Sequence, residues 1–277
     1  MDAFNLPHPT PNMSVFEVSG DSQGDFANVR WQKPLHSRFH LFLLIGRGGD
    51  GGAGRTGANS TNRFGGGSGA SAAVTKLLIP SIFVPDALGI ALGASGVETA
   101  IYALSTHQQL LYAESGGNGA IGTTAAGAGG TAPSAMPANA FTNLGQFSAL
   151  GGTAGVAGRT NAAATATVAA SFVSPGGSGG GVTSGNANGA GAGVTPLLGY
   201  PSISGGSTGG GVGNAGYFFK RPMFYSIGGG GGGGNHGGTG GNGQPGGVGS
   251  GGGGGAGSNT GGSGGTGGPG YVLILSW

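Results

Sequence analysis

The chain has 277 residues, of which 73 are glycine and none cysteine; 6% are charged, and the formal net charge is +2 at pH 7. Disulfides, zinc knuckles and thiol chemistry are excluded, and so small a cation surplus does not by itself call for a polyanionic partner. Glycine loses more backbone entropy on folding than any other residue, so this chain needs dense compensating contacts, from backbone hydrogen bonds or from subunit assembly.

Residues 1–34 have ordinary composition, with prolines at 7, 9 and 11, acids at Glu17, Asp21 and Asp25, and Trp31 near the end. They form a leader, read either as an anchor to a larger assembly or as a flexible arm or covering strand. The first residues lack the basic-then-apolar pattern of a secretory signal. From Arg38 the pattern changes to short apolar segments that run into glycine: 39–45, 73–79 ahead of Pro80, and 87–92. Segments of this length, bounded by glycine and proline, predict strands. Residues 35–115 then make a glycine-rich β domain, within which 97–113 reads as a strand pair or a short helix. The apolar run 41–45 is too short to cross a membrane, so no membrane insertion is expected.

Residues 116–215 are mostly Gly, Ala, Ser and Thr, with apolar islands at Phe141, Phe147, Leu150, Val168, Phe172, Leu197 and Leu198. They have too little large apolar surface for a conventional core, which predicts thin, layered or intersubunit packing. The last segment, 216–277, opens on aromatic residues. It continues through 28 glycines in the 43 residues 228–270 and closes on the apolar strand 271–277.

Within that block His236, Thr239, Asn242, Pro245 and Val248 fall three apart, as do Thr260, Ser263, Thr266 and Pro269. A period of three matches polyproline II geometry, whose N–H and C=O groups all point outward and must find partners when buried. Glycine lets neighbouring rods approach closely enough to pair, and Pro245 and Pro269 already hold the required φ. The predicted fold is all-β with a polyglycine II helix bundle, short strands, glycine-rich turns and little or no α-helix. Thr, Asn and Ser are expected to face water. A disordered glycine linker and a collagen triple helix are the competing readings of the same composition.

All eight acids precede residue 115, so the 163 residues from there onward carry no carboxylate side chain. Acid–base pairs, glycoside hydrolysis and carboxylate metal sites are excluded from that part. Upstream, Asp50, Asp86, Glu98 and Glu114 show no spacing that links them to a partner. The histidines at 8, 36, 40, 107 and 236 are dispersed, and His36 and His40 lie too far apart on an extended chain to share a metal. Matches to G-x-G-x-x-G are expected by chance at this glycine content, and no phosphate-loop motif occurs. No catalytic residue, metal or cofactor is expected, and the chain reads as a non-enzyme.

The pieces 31–34, 39–52, 64–69, 74–79 and 84–96, with the closing residues 267–277, resemble the glycine-rich domains of bacteriophage tail-fibre and receptor-binding proteins. Phage tip adhesins with a polyglycine II sandwich are similar to the last block. The resemblance implies a virion structural protein, in a tail fibre or spike on the particle surface. Such proteins attach to a host outer-membrane protein or surface glycan through loops at the distal end of the bundle. It further implies contact with other virion proteins through residues 1–34, and thin glycine-rich modules suggest a homotrimer. Unlike those adhesins, this chain carries a large N-terminal β region. A capsid-decorating, vertex or baseplate protein without a receptor is the second reading, and a glycine-rich matrix or nucleic-acid-binding protein the third. Nucleic acid is not expected as a partner, because Arg-Gly-Gly occurs once and Asp50 follows it.

Tyr217, Phe218, Phe219, Lys220, Arg221, Phe224 and Tyr225 are the candidate receptor contacts, since adjacent rings and cations suit a sugar face or a protein loop. The alternative is that alternate rings pack against the glycine block or a neighbouring subunit.

Overall fold

The computed structural model describes residues 13–20, 28–94, 96–160, 166–167, 172–196, 200–220 and 224–277. Among them the chain is all-β. Its strands are β1 (Ser14–Ser19), β2 (Asn28–Gln32), β3 (Phe39–Ile45), β4 (Val74–Pro80), β5 (Ala87–Ala91), β6 (Thr99–Ala103), β7 (Gln109–Ala113), β8 (Gln146–Leu150), β9 (Ala166–Thr167), β10 (Val194–Thr195), β11 (Phe218–Phe219), β12 (Tyr225–Ser226), β13 (Asn235–Thr239), β14 (Ser258–Thr260) and β15 (Tyr271–Ser276). The only helical turns among the described residues are single 3-10 turns at Ser81–Phe83 and Thr142–Leu144.

Two antiparallel sheets make a sandwich. One has the order β1-β15-β3-β4-β8 and the other β2-β5-β6-β7. Period-two alternation puts Phe42, Leu44, Leu77, Ile79, Val272 and Ile274 of the first sheet against Trp31, Leu88, Ile90, Ile101 and Leu111 of the second. Complete burial of each such side chain stabilises by about 1.5–3 kcal/mol. β15 is central and buried along its whole length, because its other face, through Tyr271, Leu273 and Leu275, packs with Ile45, Val74, Val173 and Val248. That explains its uninterrupted apolar sequence. Residues 97–113, left between strands and helix by the sequence, form the β6–β7 pair. The described part of the leader is strand in both sheets: β1 pairs with β15 and β2 with β5. The four compositional segments therefore share sheets across their boundaries.

Several strands continue directly into glycine runs. β3 leads into 46–57, β7 into 116–122 and β8 into 152–159, while 64–73 leads into β4 and 260–270 into β15. These runs lie almost wholly outside strands yet hydrogen-bond at every third residue. The N–H groups of Gly46, Gly49, Gly52 and Arg55 donate to the carbonyls of Ala73, Ala70, Gly67 and Phe64. Those of Gly48, Gly51 and Gly54 donate to Gly268, Gly265 and Gly262. Gly116, Gly119 and Gly122 in turn donate to Arg47, Asp50 and Ala53.

The run 250–258 is enclosed on all sides. Gly251, Gly254 and Gly257 donate to Ser174, Gly177 and Gly180; Gly252, Gly255 and Ser258 to Gly49, Gly52 and Arg55; Gly253 and Ala256 to Gln244 and Gly241. Its carbonyls accept in the same rotation from Gly229 and Gly232, from Gly69 and Gly66, and from Gly268, Gly265 and Gly262. All these bonds measure 2.8–3.1 Å. A Cβ added at Gly251, Gly252, Gly253, Gly254 or Gly255 would stand 2.1–2.2 Å from a neighbouring carbonyl oxygen, so the spacing of the runs admits only glycine there.

Ordering a backbone residue costs about 1–2 kcal/mol, and a hydrogen bond returns about 0.5–1.5. The runs consequently depend on close backbone packing and on the sandwich to which they are joined. The burial for which the sequence suggests a homotrimer is provided for run 250–258 by runs of the same chain. The expectation that Thr, Asn and Ser face water holds for Thr239, Asn242, Thr260 and Ser263, which are exposed, and partly for Thr266, whereas Ser250 and Ser258 are buried inside the enclosed run. Val248, which shares the period, is buried against the sheet. Val168, Leu197 and Leu198 lie outside the described residues.

Candidate functional site

The aromatic segment forms a small hairpin, with Phe218 opposite Ser226 and Phe219 opposite Tyr225. Alternation sends its rings to two places. Phe218 and Phe224 pack edge-on at 4.7 Å and reach Tyr271 at 5.8 and 5.5 Å, covering the outer face of the five-stranded sheet. Tyr225 is buried and stacks on Tyr200 at 4.9 Å with the planes 8° apart. Phe219 stacks on Tyr200 at 5.5 Å and touches Tyr217, whose hydroxyl donates to the Pro201 carbonyl. Burial, then the neighbouring phenols of Tyr225 and Tyr200, push the Tyr217 phenol above its usual pKa.

Lys220 pairs with Glu17 of β1 and lies 5.9 Å from the Tyr271 ring centre. Burial and then Glu17 raise the Tyr271 phenol as well. Phe219 and Lys220 are the exposed members; Phe218, Phe224 and Tyr225 serve packing, and Arg221 lies outside the described residues. Tyr225→Ala is expected to cost about 3–5 kcal/mol, read as a lowered unfolding midpoint in urea. A variant as stable as the parent would contradict the packing role.

Opposite the sandwich, the runs reverse direction at 57–63, 183–188, 235–239 and 259–261; these turning segments form the loop end of the bundle, and the third is the short strand β13 while the fourth overlaps its partner β14. Four asparagines tie these loops together. The Asn62 side-chain oxygen accepts from the Ser184 N–H (2.8 Å), that of Asn186 from Ser60 N–H (3.2 Å) and that of Asn188 from His236 N–H (2.7 Å). The Asn259 oxygen accepts from Arg63. Asn186 has φ 64° and Ser60 φ 60°, left-handed turn conformations that asparagine tolerates better than most residues.

Arg63 is fully buried among these loops. Its guanidinium donates to Asn259, to Asn186 (3.1 Å) and to the His236 carbonyl (3.2 Å), while its Nε has no partner. No carboxylate is present there, and burial lowers its pKa below the usual arginine value. Arg55 donates to the Asn62 carbonyl at 2.7 Å, and Arg159 joins the same end through main-chain bonds to Gly65 and Gly179. Sequence reasoning missed this cluster. Its one visible signal was the asparagines at the points where the glycine runs are interrupted.

His36 and His40 are separated in environment. His36 is exposed, whereas His40 is buried with Nδ1 2.8 Å from Ser276 Oγ and Nε2 2.9 Å from Ser81 Oγ. Among the described residues no group of three His, Asp or Glu side chains could hold a metal, and no helix is long and apolar enough to cross a membrane. No protein-family model matches this chain, and a search of curated proteins finds no similar sequence.

Proposed function

We propose that this is a structural protein of a bacteriophage particle, a tail-fibre or spike component that attaches to the host surface. In this reading the glycine runs are polyglycine-II-type rods in a bundle that carries the loops 57–63, 183–188, 235–239 and 259–261 outward. The observation that supports it most is the rotation of hydrogen bonds about run 250–258, where successive N–H groups turn to three different neighbours and the pattern repeats every third residue. Three residues per turn is the repeat of polyproline II geometry, and a β-ladder repeats every two. A bundle of this kind is a stiff stalk without conventional core, suited to presenting loops at a distance.

The other end of the molecule supports attachment to a virion partner. At the ends of β3, β4 and β15 remote from the glycine runs, Leu35 (88% exposed), Ile82 (84%), Phe83, Phe39 and Trp277 show apolar surface to solvent. They sit together: the N–H groups of Arg38 and Phe39 donate to the Trp277 carbonyl, Phe39 stacks on Trp277 at 6.3 Å, and Ser81 N–H donates to Arg38. Exposed apolar clusters of this sort mark contacts with other proteins. The same patch also suits the second reading, a vertex or baseplate component without a receptor.

The two separate on binding to cells. Fluorescently labelled protein is expected to bind cells of susceptible bacteria saturably, in competition with unlabelled protein. Absence of saturable binding across a panel of hosts would leave the structural role and remove the adhesive one.

A further inference from the structure

We infer that the loop end of the bundle binds an acidic polysaccharide, a hydroxyl-rich sugar chain bearing carboxylate or phosphate groups. This rests on the attachment reading and gives its ligand a chemical class.

The partners of the four asparagines fix the orientation of their amides. A main-chain N–H or a guanidinium can only donate, so the atoms facing Ser184 N, Ser60 N, His236 N and Arg63 in Asn62, Asn186, Asn188 and Asn259 must be the amide oxygens. Each of these side chains therefore spends its acceptor on holding the loops. Its NH2 group is left over, with no acceptor among the described residues. Asn62 is exposed and the other three are partly so. Arg159 is exposed and Arg55 partly so. Beneath them lies the buried charge of Arg63, with no carboxylate side chain anywhere after Glu114 to neutralise it and one N–H unpartnered. The surface is thus rich in donors and positive charge, and it calls for a ligand rich in acceptors and negative charge.

The rest of the composition selects a saccharide. The loops 57–62, 183–188, 235–239 and 259–261 hold only Gly, Ala, Ser, Thr, Asn and His236. They offer no large apolar anchor of the kind that centres a protein interface, and none of the Phe, Tyr or Trp platforms on which single-stranded bases stack. Amides and guanidinium groups without such an anchor suit hydroxyls and anionic oxygens.

The test uses the full-length protein and biolayer interferometry on immobilised polygalacturonate, a phosphate-bearing mannan, neutral dextran and duplex DNA. Binding to at least one of the two anionic polysaccharides is expected, weaker as salt rises, with none to dextran and less to DNA. The two anionic polymers distinguish carboxylate from phosphate. In N62D/N188D each new carboxylate still offers an oxygen to Ser184 or His236 N–H, so the fold is kept while two donors become negative acceptors. Affinity is expected to fall about tenfold or more, and by a similar factor in R159A, with the melting temperature little changed.

Failure to bind either anionic polysaccharide, equal binding to dextran or DNA, or full affinity in N62D/N188D and R159A would each overturn the inference. Host-cell binding by the parent protein that is unaffected by these variants would overturn it too, while leaving attachment in place. Loss of cell binding by the parent itself would instead count against attachment.

Discussion

Gly253→Ala is expected to destabilise the protein by about 3 kcal/mol or more, or to prevent folding, although it adds a single methyl group. The new Cβ would stand 2.1 Å from the Gly230 carbonyl oxygen and 2.6 Å from its carbon, and both belong to main chain that is itself hydrogen-bonded on its other sides. Moving the 227–234 run away would break the bonds from Gly229 and Gly232 to Gly251 and Gly254. Gly237→Ala provides the control. That glycine is exposed in the 235–239 loop, nothing lies within 4 Å of its Cβ position, and its φ is not in the left-handed region. Its stability should stay within about 0.5 kcal/mol of the parent or rise slightly, because alanine restricts the unfolded chain. Thermal melts of the two variants make the comparison. Equal effects would show that the close approach of the runs is not what demands glycine.

Stability is expected to fall as the pH drops from 6.5 towards 4, with His40 carrying the change. Its imidazole is buried, and burial first, then the charge of Lys33, lowers its pKa from 6.5 to about 4. The folded state thus prefers neutral imidazole. In the unfolded chain the ring protonates near pH 6.5, so between 6.5 and 4 the unfolded state holds the extra proton and gains stability relative to the fold. Above pH 6.5 the full contribution is present; below about 4 both states are protonated and the loss levels off. The whole change amounts to roughly 3–3.5 kcal/mol. Urea unfolding at successive pH values should show this slope, and His40→Gln should flatten it between pH 6.5 and 5. A slope unchanged in that variant would assign the dependence to other groups. The position matters to the fold because His40 joins β3 to Ser276 at the end of β15 and to Ser81 after β4.

Much of the sandwich was legible in the sequence because its signals are local. Residues 39–45, 73–79 and 271–277 announce strands by apolar content and by the glycine and proline that bound them, and they become β3, β4 (Val74–Pro80, one residue further on) and β15 (Tyr271–Ser276). The three-residue period likewise marked Thr239, Asn242, Thr260 and Ser263 as outward-facing, and they are exposed. The aromatic hairpin was less legible. Seven neighbouring ring-bearing and basic residues suit a binding patch and a packing cluster equally well. Only the positions of Tyr200 and Tyr271, distant in sequence, turn Phe218, Phe224 and Tyr225 inward.

By itself, then, the sequence marked strands where apolar content and punctuation are local, and a glycine-rich period of three whose N–H and C=O groups need partners, while 97–113 stayed between strands and helix. It also settled that no carboxylate chemistry exists beyond Glu114. The tertiary structure decided which runs are neighbours, because glycine carries no side chain to encode a preference and one run resembles the next. It placed the closing strand between β1 and β3, enclosed 250–258 within its own chain, and brought Asn62, Arg63, Asn186, Asn188 and Asn259 together at one end. Those residues are separated by up to almost the whole length of the glycine-rich region, and only the reversal of successive runs makes them adjacent.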